Sequence, residues 1–168
     1  MTMRPALRNF ALLVHIVSSV GWIGAVVSFL VLSITGLNSQ DPLTVRSAYL
    51  MMDAIAAFAI VPLSVASLAS GLVQSLGTHW GLFRHYWVLV KFLLTLLAVI
   101  VLLLQLEPIG YIAAIAAETT LSGSDLREAR LSLAVHAGAG LVTLLFITTL
   151  SVYKPKGLTR YGWRKQTG

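Results

Sequence analysis

Cysteine is absent from this chain of 168 residues. That removes disulfides, thiolate metal sites and cysteine nucleophiles together, and it leaves redox compartment unreadable. Charge is also scarce, at 11% of residues against 57% hydrophobic, where a soluble domain carries about 25% charged residues. There is no nucleotide-binding glycine loop, catalytic triad or carboxylate pair; the glycines of HAGAG (136–140) lie inside an apolar run and have no phosphate to cradle. There is no low-complexity tract and no internal repeat, and the length leaves room for one bundle and no second domain. The net charge of +6 does not point to nucleic acid, because the basic residues flank apolar spans instead of sharing a soluble face.

What remains is apolar sequence in four runs: about Phe10 to Leu37, Tyr49 to Leu76, Tyr86 to Leu106 and Leu131 to Val152. Each reaches the roughly 20 residues that cross a hydrocarbon core about 30 Å thick. The expected fold is all-α, a polytopic four-transmembrane-helix bundle with a basic tail over 153–168. The first run is too long for a signal-peptide core and is expected to be retained. The longest connection, about Glu107–Arg130, opens with Pro108 and Gly110 and offers Tyr111–Glu118 as a short helix.

Basic residues orient the spans. Arg4, Arg8, Arg84, Lys154, Lys156, Arg160, Arg164 and Lys165 fall on one side, and Arg46, Arg127 and Arg130 on the other. The majority side, which holds both termini, is expected in the cytoplasm. Trp80, Trp87, Tyr86, Tyr153, Tyr161 and Trp163 would form an aromatic belt there. Small residues mark close helix packing: Gly21, Gly24 and Ser28 in the first span, Ser64, Ser67, Gly71 and Ser75 in the second, Gly138 and Gly140 in the fourth. Pro62 should kink the second span and free a carbonyl.

Ionisable groups inside spans are functional candidates by default. His15 and Lys91 each lie about five residues in from the cytoplasmic side, or roughly 8 Å at 1.5 Å per residue, and His79 and His85 sit nearer the surface. His136 enters from the opposite side, level with Asp53, Met51 and Met52. His15 and His136 therefore differ in depth by roughly 15 Å and should not share an iron, whereas His15 with Lys91 or His85 passes. His15, Ser18, Ser19 and Trp22 recur on one side of the first helix, a wall suited to a flat cofactor, and neutral imidazole suits haem iron, zinc or copper. Lys91 either snorkels to the interface or pairs with an anion such as a haem propionate. Met51, Met52, Asp53 and His136 form a second set that mixes sulfur and imidazole, as copper sites do; packing and the helix dipole also account for them.

The pattern His15-x6-Trp22-x-Gly24, with Trp87 four residues before Lys91 in YWVLVKFLLTLLAVIVLLL, resembles the membrane domain of the copper-resistance D family. It is also similar to the haem-containing membrane type of protoporphyrinogen oxidase. In the latter a first-helix histidine and a third-helix lysine serve the haem, roles that the resemblance places on His15 and Lys91. GTHWGLFRHYWVLVK and YKPKGLTRYG resemble a group of small four-helix bacterial membrane proteins, which implies a bacterial inner membrane. Three functions stay open: a haem b protein in a redox or haem-related accessory role using His15, Lys91, His85 and Trp22; a copper-handling protein using His136, Asp53, Met51 and Met52 (or His15); and a cofactor-free scaffold that binds other membrane proteins or its own copies.

Overall fold

The computed structural model describes residues 3–77, 82–118, 126–155, 157, 159 and 163. Five α-helices follow in order: α1 (Pro5–Asn38), α2 (Pro42–Ile55), α3 (Val61–Gly77), α4 (Tyr86–Glu118) and α5 (Arg127–Tyr153). A π-helical turn, Ala56–Ile60, joins α2 to α3, so the described residues make four helices long and apolar enough to cross a membrane. This is the all-α bundle of a multi-pass membrane protein. In place of a polar surface it shows apolar side chains: Phe58 is 84% exposed and Leu104 70%, as a hydrocarbon solvent allows.

The π turn has its cause in Pro62. A proline has no N–H to donate one turn back, and the ladder widens just before it, with Val61 N–H reaching the carbonyl of Ala56. The expected irregularity of the second span is therefore a widened turn. Pro42 starts α2 at its first turn, where a missing N–H costs nothing. The Asp41 carboxylate caps this helix through the amides of Leu43 (3.3 Å) and Thr44 (3.0 Å). The Thr44 hydroxyl and amide hold the Asp41 carboxyl below the usual carboxylate range.

Two boundaries differ from the sequence expectation. α4 runs unbroken through Pro108 to Glu118, so residues 107–118 extend the third span instead of beginning a loop. Proline is tolerated there because neighbouring helices support the backbone. Ile109, Ile112, Ala113 and Ala116 are all buried in this extension. It packs on α2, whose buried Val45, Ala48, Tyr49 and Met52 supply the complementary face. α5 begins at Arg127, which puts Arg130 inside the helix.

The spans form a ring in which each packs on its two chain neighbours, with the first and fourth closing it. One interaction crosses the ring. Arg130 of α5, with no exposed surface, donates Nε–H to the Tyr49 hydroxyl of α2 at 2.8 Å and a terminal N–H to the Gly36 carbonyl of α1. Its guanidinium lies 5.1 Å from the Tyr49 ring centroid. Gly36 stands in the last turn of α1, where carbonyls lack helical partners and the helix dipole is negative. α1 has no basic residue of its own there, so a cation from another span fills that place. Gly36 must be glycine: a Cβ would come within 2.9 Å of the Tyr49 ring.

At the end bearing the termini, α5 stops at Lys154, whose left-handed backbone (φ 42°) precedes Pro155. The tail then runs beside the start of α4, Tyr86 N–H bonding the Gly157 carbonyl (3.3 Å) and Thr159 N–H the Arg84 carbonyl (3.0 Å). Of the expected aromatic belt, Trp80 and Tyr161 lie outside the described residues. So do His79, Lys156, Arg160, Arg164 and Lys165.

Thermal or denaturant unfolding in detergent tests the crossing. Tyr49→Phe removes one acceptor from a buried cation and should cost about 1.5–3 kcal/mol. Gly36→Ala forces Tyr49 aside and should cost about 1–3 kcal/mol. Wild-type stability in both variants would remove Arg130 from its place as the tie between spans.

Candidate functional site

A polar seam runs between α1 and α3. Gln74 Nε2 donates to the Ala11 carbonyl at 3.1 Å, His15 Nδ1 lies 3.1 Å from both the Ser67 carbonyl and the Ser70 hydroxyl, and the Ser19 and Ser67 hydroxyls meet at 2.8 Å. Of the small residues expected to let the backbones approach, Ser64, Ser67 and Ser75 are buried, and so is Ser70, which the sequence reading does not single out. A Cβ on Gly71 would stand 3.1 Å from His15 Cε1, so the imidazole rests on the glycine.

Hydrogen-bond direction assigns the tautomer. A carbonyl only accepts, so the contact with Ser67 requires a proton on His15 Nδ1. The Ser70 hydroxyl donates to the Ala66 carbonyl at 2.6 Å, which leaves its oxygen to accept from the same N–H. Neutral His15 then carries a bare lone pair on Nε2, and that atom has no hydrogen-bond partner among the described residues. Anchoring one ring nitrogen on a backbone carbonyl while the other stays open is how proteins orient an imidazole ligand.

His15 lines a cavity of about 600 Å³ at the end of the bundle bearing the termini. Lys91, Trp87 and Thr95 of α4 line it too, as do the exposed Arg8 and Lys154. Lys91 Nζ lies 5.5 Å from the Trp87 ring centroid, a cation–π distance. The volume falls within the roughly 300–1,000 Å³ of ordinary ligand sites. A neutral nitrogen donor, three basic side chains and an indole therefore share one chamber whose walls mix apolar and polar side chains.

The expected pair His15 and Lys91 is brought together. The other two residues expected at that site are not. Trp22 is in the protein core and lines a different cavity. Seven residues carry it about 10.5 Å up the helix, and the Leu63 side chain packs against Gly21 between the two levels. Trp87 takes the place intended for it. His85 sits in the non-helical approach to α4, its ring 6.3 Å from that of Trp87, and does not line the chamber.

The second set does not converge. Met52 is fully buried in the core while Met51 is 56% exposed. Asp53 faces α4, its carboxylate 3.8 Å from where a Cβ on Gly110 would stand. His136 lies in a cleft between α4 and α5. Among the described residues no three His, Cys, Asp or Glu side chains gather to hold a metal ion.

No protein-family model, curated protein or solved structure matches the chain. The geometry carries the functional reading by itself.

The sequence places Arg130 in the connection before the fourth span and Tyr49 at the start of the second, with nothing to pair them. Gln105, the one carboxamide in the apolar run of α4, is a polar residue within a helical apolar pattern and so carries a signal of its own.

Proposed function

We propose that this protein binds haem b within the membrane through His15, at the chamber shared with Lys91, in a redox or haem-related accessory role. The observation that carries the reading is the oriented imidazole: Nδ1–H is anchored on Ser67 and Ser70, and Nε2 has no partner among the described residues. The remaining groups suit the same ligand. Lys91 and Arg8 offer cationic partners for two propionates, and the lining adds apolar side chains, Trp87 among them, beside a minority of neutral polar ones. Bound there, haem would supply one-electron redox chemistry. The chain's own residues orient the ligand nitrogen, neutralise the carboxylates and exclude water.

The scattered positions of His136, Asp53, Met51 and Met52 disfavour the copper reading. We further place the protein in a cell membrane with both termini cytoplasmic, because eight of the twelve basic residues fall at that end.

Protein purified in mild detergent from haem-replete cells should show a Soret band. His15→Ala should abolish it, and Ser70→Ala, which loosens the ring's anchor, should weaken haem retention about tenfold. A colourless wild-type protein, or a band untouched in His15→Ala, would refute the assignment. Orientation has a separate test, since the chain has no cysteine of its own. Gln40→Cys should react with an impermeant maleimide added outside spheroplasts, and Gly157→Cys only after lysis; the reverse pattern would invert the topology.

A further inference from the structure

The cleft that contains His136 is a second cavity, of about 230 Å³, between α4 and α5 with Trp22 of α1 in its lining. It shares no lining residue with the His15 chamber. Its walls are apolar, with Trp22 and Phe29 as the aromatic members, apart from Gln105, His136 and Thr143, and the Thr143 hydroxyl is spent on the Ala139 carbonyl at 2.9 Å. His136 Nδ1 lies 2.7 Å from the Ser132 carbonyl, which requires the proton on that nitrogen and leaves Nε2 as a bare acceptor. The Gln105 carboxamide makes no hydrogen bond among the described residues.

An amide left without partners in an apolar medium costs roughly 2–7 kcal/mol. Lining one cavity are a donor–acceptor amide and an exposed acceptor nitrogen, neither of them bonded among the described residues. A complementary ligand enters from the bilayer, offers a hydroxyl proton to His136 and an oxygen to Gln105, and packs its apolar body against the aliphatic and aromatic walls. An apolar protein cavity of about 150 Å³ takes benzene, so this one takes a substituted ring, and it is too small to admit a helix of another protein.

We infer that this cleft binds the ring of a lipid-soluble hydroquinone, with one ring hydroxyl donating to His136 Nε2 and a ring oxygen accepting from the Gln105 amide. The reduced form fits better than the quinone, which has no proton for Nε2. Gly140 opens the space: a Cβ there would meet nothing within 4 Å. The inference does not depend on haem at His15.

The test is the partition of a short-tailed ubiquinol between lipid nanodiscs that carry the full chain and empty ones, made in the His15→Ala background so that haem plays no part. Saturable excess binding of about one quinol per chain is expected, with the quinone at least about tenfold weaker for its one missing hydrogen bond. Gln105→Leu and His136→Phe should each weaken quinol binding about tenfold or more on the same basis. Gly140→Leu should fill the cleft and abolish binding while leaving the unfolding temperature unchanged or higher, which separates loss of the site from loss of the fold. Equal partition into empty discs, or full binding in both Gln105→Leu and Gly140→Leu, would overturn the inference. So would a wild-type dimer that Gln105→Leu converts to monomer with no excess quinol, since Gln105 would then be satisfied by a second copy.

Discussion

A polar group inside hydrocarbon has no water to fall back on, so whatever the bundle leaves unsatisfied stays unsatisfied until something binds. Most polar groups in these spans are settled locally. The hydroxyls of Ser28, Thr35, Thr95 and Thr148 each bond the carbonyl four residues back in their own helix. Arg130, the most expensive group to bury, is met by a hydroxyl, an aromatic face and the carbonyl end of α1. Against that background, among the described residues, the open groups stand out: the buried Ser33 hydroxyl, which has no hydrogen-bond partner, the Nε2 atoms of His15 and of the more exposed His136, and the Gln105 amide.

The two ends of the molecule are closed differently, and this places the chambers. At the end away from the termini, Arg130 ties three of the four spans through Tyr49 and Gly36, and the extension of α4 packs on α2. At the other end the closure is made of backbone. Met3 N–H reaches the Gly77 carbonyl at 3.2 Å, and the tail lies along residues 84–86. The His15 chamber lies at this end, lined by side chains of α1, α3 and α4 and by Ser151 and Lys154 at the end of α5, with Lys91 and Arg8 among them. A site reached from the basic end suits an anionic amphiphile, whose charged groups stay near the interface while its apolar body enters the bundle.

The four spans were legible because apolar length is the membrane's own requirement. The pairing of His15 with Lys91 was legible because equal depth on antiparallel spans follows from the helix rise. Rotation about each axis was not. Trp22 shares a face with His15 over two turns, yet the neighbour changes with height, and nothing in one helix reveals what packs on it. Pro108 reads as a stop in a soluble protein and does not stop a membrane helix supported by its neighbours, so the extension of α4, and with it the burial of Arg130, was hidden. The small-residue stripe of α3 was visible, but its purpose was not: Gly71 seats the imidazole, and Ser67 and Ser70 set its tautomer.

The central claim is that His15 is held with its Nε2 lone pair ready for a ligand. The nitrogen spectrum of protein carrying ¹⁵N-labelled histidine, assigned through His15→Ala and titrated with diamagnetic zinc protoporphyrin, tests this most directly. The structure predicts an Nδ1-protonated neutral ring whose Nε2 resonance shifts on addition of one porphyrin per chain while Nδ1 keeps its proton. An Nε2-protonated ring, or a His15 signal indifferent to the porphyrin, would contradict it.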